Sequence, residues 1–208
     1  MTTEKMKDIL SVKDKTDKKS IEKVKETERK ASEQCNLADK DSLERFEFRN
    51  IKLSETEQAV TIEQICFPPN EACSAENMKS RIAAARELFL VAVDKQTGKI
   101  AGFLNGIATD ENSFRDEFFT DASLHGENGK NIMLLGLDVL PEYRRQGLGR
   151  ELVYQYLQRE RENGRKEVFL TCLKEKVEMY KKFGFADGGI ANSVWGGEEW
   201  HEMSCTLH

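Results

Sequence analysis

The stretch Leu137–Leu152, LDVLPEYRRQGLGREL, decides how this chain is read. An apolar run from Ile132 to Leu140 has the character of a strand, and Pro141 stops it because proline offers no N–H to a ladder. Gln146-Gly147-Leu148-Gly149 follows, and behind it Leu152, Val153, Tyr156 and Leu157 recur on one helical face. Strand, glycine-bearing turn and helix start together make a place for a phosphate. The first amides of a helix have no intrahelical acceptor, and the helix dipole adds partial positive charge there. Glycine lets the backbone approach an anion with no Cβ in between. Arg144, Arg145 and Arg150 add positive charge on either side of the turn.

Two familiar phosphate loops do not fit. The dinucleotide fingerprint needs a third glycine, and the nucleotide-triphosphatase loop needs Gly-Lys-Ser/Thr. The pattern Val139-x-Pro141-x-x-Arg144-x-x-Gly147-x-Gly149 resembles the pyrophosphate-binding motif of the GNAT superfamily of acyl-CoA-dependent N-acetyltransferases. Further on, Tyr180-Lys181-Lys182-Phe183-Gly184-Phe185 resembles the superfamily's Tyr-x-x-x-Gly-Phe signature. With both motifs the resemblance spans roughly Phe46 to Leu207.

Outward from these motifs the chain divides in two. Residues 1–43 are dense in Lys and Glu, with Ile9, Leu10, Val12, Ile21 and Val24 too sparse to face a core. They read as a charged, partly helical or flexible extension without the sustained heptads of a coiled coil. Residues 44–208 read as one α/β domain, a mixed central sheet flanked by helices. Phe46, Phe48 and Ile51 lie near alternation, as in an edge strand. Ser54 to Ile65 is helical in character, with Ser54 and Glu57 spaced as a capping box. A proline-stiffened loop, Phe67-Pro68-Pro69-Asn70-Glu71-Ala72, precedes a helix from Ala75 to Arg86 that Ser74 caps. Phe89–Val93 and Lys99–Ile107 form a hairpin with Gly98 at its turn. Thr109 to Lys130 is polar and holds a short helix and a mobile loop. After the central strand and its helix, closed by Gly164, Glu167–Cys172 reads as a buried strand and Lys176–Phe183 as a short helix. Ile190–Trp195 and Trp200–Leu207 read as a final pair of strands across Gly196-Gly197.

Composition bounds the function. The net charge of -5 argues against a nucleic-acid partner, because phosphate-backbone binding needs a basic face. No apolar run approaches the ~20 residues that span a bilayer, and no secretory segment follows Met1. Five scattered cysteines with no Cys-x-x-Cys pair are expected to be reduced thiols in a cytoplasmic protein, with no metal site.

Within the superfamily the closest resemblance is to the arylalkylamine (serotonin) N-acetyltransferase group. The Phe67–Ala72 loop resembles that group's substrate-side loop, and Cys172 stands eight residues before Tyr180 as a cysteine does there. The ending from Val194 to Leu207 resembles the group's last hairpin. The resemblance implies acetyl transfer from acetyl-CoA, as cosubstrate, to the primary amine of a small molecule in a ternary complex, by a monomer or homodimer. It implies a bulge over Leu137, Asp138 and Val139 that aims backbone amides at the acetyl carbonyl. It puts the pyrophosphate on Arg144, Arg145, Gln146, Gly147, Leu148, Gly149 and Arg150, and makes Tyr180 the general acid for the CoA thiolate.

The base is less legible. The group's two central-strand histidines stand as Met133 and Leu135 here, and neither takes a proton. His125, His201 and His208 lie elsewhere. Glu71 in the Pro-Pro loop is the first substitute, as amine anchor or base, and Asp138 the second. The family's asparagine seven before the tyrosine is Leu173 here, so one CoA contact is expected to be missing. Two other readings stay open: a protein or peptide N-acetyltransferase, and a non-catalytic CoA-binding sensor.

Overall fold

A computed structural model describes residues 43–207; the charged extension expected over residues 1–43 lies outside them up to residue 42. Seven strands form one mixed sheet: β1 Phe46–Asn50, β2 Phe89–Asp94, β3 Lys99–Thr109, β4 Asn131–Val139, β5 Glu167–Leu173, β6 Ala186–Ile190 and β7 Trp200–Thr206, in the order β1-β2-β3-β4-β5-β7-β6. Among the described residues four helices accompany it: α1 Thr56–Cys66, α2 Ala75–Ala84, α3 Leu148–Glu162 and α4 Val177–Lys182. β1 to β4 run as an antiparallel meander, and β4 and β5 pair parallel, with α3 as the crossover between them.

Ala59, Val60 and Ile62 of α1 and Met78 and Ile82 of α2 pack with Phe89, Val91, Val93 and Phe103 in one buried cluster. On the opposite face α3 lies so close to β3 that a Cβ at Gly106 would stand 3.1 Å from the Tyr156 hydroxyl. That hydroxyl donates to the Leu88 carbonyl at 3.2 Å. Sandwiching the sheet removes most of its apolar area from water, at about 25 cal/mol per Å².

Two local readings need correction. Ser54 and Glu57 do not form the capping box. Glu55 accepts from the two terminal guanidinium nitrogens of Arg49, at 2.9 and 2.6 Å, and from the Lys52 N–H at 2.8 Å. A 3-10 turn over Leu53–Glu55 results, and α1 starts at Thr56. At the C-terminus the penultimate strand is Ala186–Ile190, not Ile190–Trp195. Ile190 and Val194 are 70% and 80% exposed, so the apolar look of that segment does not reflect a buried face. Ser193 and Val194 are instead tied to the Asp116 carboxylate, by the hydroxyl at 2.5 Å and the backbone N–H at 3.0 Å.

One polar cluster links the hairpin to the glycine turn. Asp94, at the end of β2, accepts two bonds from Arg45, at 3.0 and 2.6 Å, and one from the Tyr143 hydroxyl at 2.9 Å. The Arg45 guanidinium holds this carboxyl well below the usual range. Tyr143 closes the 3-10 turn Pro141–Tyr143, so the cluster fixes where the loop leaves β4.

Candidate active site

β4 and β5 pair only over Asn131–Met133 and Glu167–Phe169; beyond Phe169, β5 continues against β7 alone. The two strands therefore fork. A cavity of about 370 Å³ opens in the fork, within the range of small-molecule sites. Leu134 to Leu137 line it from β4, and Leu170 to Leu173 from β5. From Leu134 onward β4 has no strand neighbour on that side, which turns its backbone to the cavity.

The bulge lies two residues earlier than the resemblance implied. Asn105 pairs with Gly136 and Gly106 with Leu134, so Leu135 is the extra residue. Leu137 lines the cavity. Asp138 is fully buried. The Val139 carbonyl is already engaged, by Arg144 Nε at 2.8 Å and Cys66 Sγ at 3.4 Å. Of the two positions where the resembling group carries histidines, Leu135 lines the cavity and Met133 is buried away from it. His125 accepts from the Ala108 N–H at 3.2 Å and lies 3.1 Å from Glu87; His201 sits 3.1 Å from Asp187. Neither faces the cavity.

The glycine turn has the backbone that an anion requires. Arg145 has φ 60, the one non-glycine residue with positive φ among those described, and Gly147 follows with φ 81 as the N-cap of α3. Leu148, Gly149 and Arg150 supply the first amides of the helix, which no intrahelical carbonyl accepts. A Cβ at Gly149 would find only Val139 Cγ2, at 3.7 Å, so protein packing does not demand that glycine. Gln146 ties the turn down by donating to the Glu142 carbonyl at 2.9 Å.

The roof of the cavity comes from two segments that close on one another. Asn70 Nδ2 donates to the Gly196 carbonyl and Trp195 Nε1 to the Glu71 carbonyl, both at 2.9 Å. Gly196 has φ 64, and a Cβ there would stand 2.9 Å from Glu71 Cγ, so glycine permits both the turn and the contact. The Trp195 ring stacks on Phe119 with centroids 4.8 Å apart. Phe67, Pro68 and Trp200 complete a largely apolar lining. Glu71 lines this roof, and burial, with Glu198 and Glu175 nearby, raises its carboxyl.

Tyr180, on α4, lines the β5 side, its ring held edge-on by Phe183 and Phe185 at 6.0 and 5.7 Å. Burial, reinforced by Cys172 and Asp138, pushes the phenol above its ordinary range, so its proton is retained. Burial also pushes the thiols of Cys66, Cys73 and Cys172, all lining the cavity, up to about 11. Protonated thiols are poor nucleophiles, which disfavours an acyl-cysteine intermediate.

The feature that sequence reading missed is a buried acid pair. Glu63 lines the cavity at 3% exposure, and its Oε1 accepts the Cys73 N–H at 2.8 Å. Asp138 lies against it, completely buried. Burial raises both carboxyls, and the charge of Glu63 pushes Asp138 further up. The site therefore favours the neutral form of both carboxyls, and of Asp138 more strongly than Glu63. Buried Arg81 stands near and donates to Asn105 Oδ1 at 2.8 Å and to the Phe119 carbonyl at 2.9 Å. A signal was present: Glu63 falls on the apolar stripe of Ala59, Val60 and Cys66, and Arg81 on that of Met78, Ile82 and Ala85. A charged residue on a core-facing stripe needs a partner or a function.

Comparison with known proteins accords with this geometry. The profile of the Acetyltransferase (GNAT) family matches residues 56–185. The GphF GNAT-like decarboxylase, solved in complex with isobutyryl-CoA, superposes with TM-score 0.65 at 19% identity, covering 78% of this chain and 100% of its own. The loading GNATL domain of CurA from Lyngbya majuscula does so with TM-score 0.66 at 16% identity, covering 78% and 98%. A GNAT superfamily phosphinothricin acetyltransferase from Sinorhizobium meliloti, in complex with AcCoA, gives 0.57 at 14%, covering 78% and 89%. At such identities the likeness is one of fold, shared by proteins named for different reactions.

Proposed function

The chain belongs to the Acetyltransferase (GNAT) family, and from that premise we propose that it transfers an acetyl group from acetyl-CoA to the primary amine of a small molecule, by direct attack in a ternary complex. The observation that carries this reading is the covered, aromatic-lined cavity in the β4–β5 fork, with a protonated tyrosine on its wall. The glycine turn fits the pyrophosphate: the amides from Arg145 to Arg150 would hold it, with Arg144 beside them. The backbone of Leu134–Leu137 would take the pantetheine arm and the acetyl carbonyl. An oxyanion held there by a fixed N–H is stabilised by about 3 kcal/mol. Tyr180 would protonate the departing thiolate.

The roof favours a small acceptor over a protein segment. An extended peptide needs an open groove, and here Asn70 and Trp195 fasten the two roof segments together. The aromatic lining suits an amine with an apolar or aryl body, in keeping with the arylalkylamine resemblance. Indoleamine preference does not follow, because Met133 and Leu135 replace the histidines of that group. Glu71, in the roof, would anchor the ammonium on entry. Reduced thiols at Cys66, Cys73, Cys172 and Cys205 accord with a cytoplasmic setting.

A panel of arylalkylamines, aliphatic amines and peptides, scored by CoA release, tests the substrate class. Arylalkylamines are expected to give the highest kcat/KM, and peptides no release above hydrolysis. Glu71→Gln should raise amine KM about fivefold with kcat unchanged, the scale of a half-exposed ion pair. Higher kcat/KM on peptides would overturn the small-molecule reading; unchanged KM would return Glu71 to a solvated loop residue.

A further inference from the structure

Three buried polar atoms converge on the face of Gly136, in the wall of the cavity. A Cβ on that glycine would stand 2.9 Å from Asn105 Nδ2, 3.1 Å from Asp138 Oδ2 and 3.7 Å from Glu63 Oε2. All three atoms are buried and lack a protein donor or acceptor that satisfies them. Orphaned polar atoms of this kind are rare and costly. Their orientation is fixed. Arg81 only donates, so its bond to Asn105 Oδ1 turns Nδ2 toward Gly136. The Cys73 N–H takes Glu63 Oε1 and leaves Oε2 for the same space.

The chemistry of the set identifies what it receives. Two carboxyl oxygens accept and one amide nitrogen donates, so the complementary group both donates and accepts. An ammonium ion cannot accept from Asn105. A water molecule can, and it can take its fourth bond from an amine lying in the cavity. We propose that Glu63, backed by Asp138 and reached through a water seated by Asn105 over Gly136, accepts the first proton of the acceptor ammonium. The inference rests on the acetyl-transfer reading and supplies the base that the missing histidines leave open.

The protons and bonds balance as follows. The ammonium loses one proton through the water to Glu63, and the neutral amine attacks the acetyl carbon. The C–N bond forms, the C–S bond breaks, and the thiolate takes a proton from Tyr180. The second N–H proton returns to Tyr180 through solvent as the amide forms, and Glu63 releases its proton to bulk water. The products are the amide, CoA thiol and one proton. The groups facing Glu63 set its basicity. Asp138 on β4 lies against it, Arg81 on α2 and the Cys73 N–H favour the carboxylate, and Cys66 on α1 lies by Asp138. Burial raises the Glu63 carboxyl, which makes its carboxylate a stronger base.

The test uses the full chain and two acceptors. One is a phenethylamine, cationic at pH 7.5; the other is 2,2,2-trifluoroethylamine, largely neutral there. Glu63→Gln keeps the acceptor for the Cys73 N–H, and an unchanged melting curve and acetyl-CoA affinity certify its fold. With phenethylamine kcat should fall about 100-fold and then climb with pH as free amine appears. With trifluoroethylamine the loss should stay below about tenfold, since no first deprotonation is needed. Equal losses on both amines, or wild-type kcat on phenethylamine, would overturn the proton-acceptor role while leaving acetyl transfer intact. A wild-type protein that acetylates neither amine would instead overturn the reading beneath it.

Discussion

Gly147→Val should lose acetyl-CoA binding by at least about 100-fold, because the site loses more than one amide contact to a charged group, each worth about 1.5–3 kcal/mol. The residue caps α3 with φ 81, at the point where the backbone turns its amides outward. A valine there both shields the amides and forces the turn toward a conformation that points them elsewhere. The strain on the fold is about 1–2 kcal/mol, small beside a typical stability of about 5–15 kcal/mol. Gly164→Val supplies the control. It has φ 76 just past the C-terminal end of α3 with nothing within 4 Å, so it imposes like strain at the opposite end of the helix from the turn. Calorimetric titration should show CoA binding lost in the first variant and kept in the second. Equal affinity in both would remove the pyrophosphate from this turn.

Tyr180→Phe should lower kcat by about 10²–10⁴-fold while acetyl-CoA affinity changes little. Negative charge reaches the sulfur only as the C–S bond breaks, so the hydroxyl acts on the transition state and not on the ground state. The ring stays supported by Phe183 and Phe185, which makes phenylalanine a conservative replacement. The direction of the phenol's shift adds a second expectation. Because the folded-state value is raised, the acid form persists as pH climbs through the ordinary tyrosine range, and kcat should not decline there. A variant with wild-type kcat across pH would leave Tyr180 as a packed aromatic alone.

The helices and strands around the glycine turn were legible because several independent signals coincide there. Pro141 ends an apolar strand, Gly147 takes a left-handed φ, and Leu152, Val153, Tyr156 and Leu157 mark the buried face of α3. β6 was not legible. It carries Gly188 and Gly189, is mostly exposed, and bulges between Asp187 and Gly189, so its strand form comes from pairing with β7 and not from its own pattern. The bulge at Leu135 was displaced for a related reason: all of Ile132–Leu135 is apolar, and register leaves no trace in such a run.

The candidate site was half visible. Tyr180 and Glu71, both singled out from the sequence, line one cavity from segments more than a hundred residues apart. Glu63, Arg81 and Asn105 come together only through the packing of α1 and α2 on the sheet. Nothing in their spacing along the chain points to one another.

The account rests on acetyl leaving CoA for an amine without stopping on the protein. Initial rates with acetyl-CoA and a phenethylamine varied together, with product and intact protein followed by mass spectrometry, test that claim most directly. The expected result is a set of intersecting double-reciprocal lines, one N-acetylated amine for each CoA released, and no acetylated enzyme. Parallel lines with an acetyl group caught on the protein, or bound acetyl-CoA that no amine discharges, would contradict it.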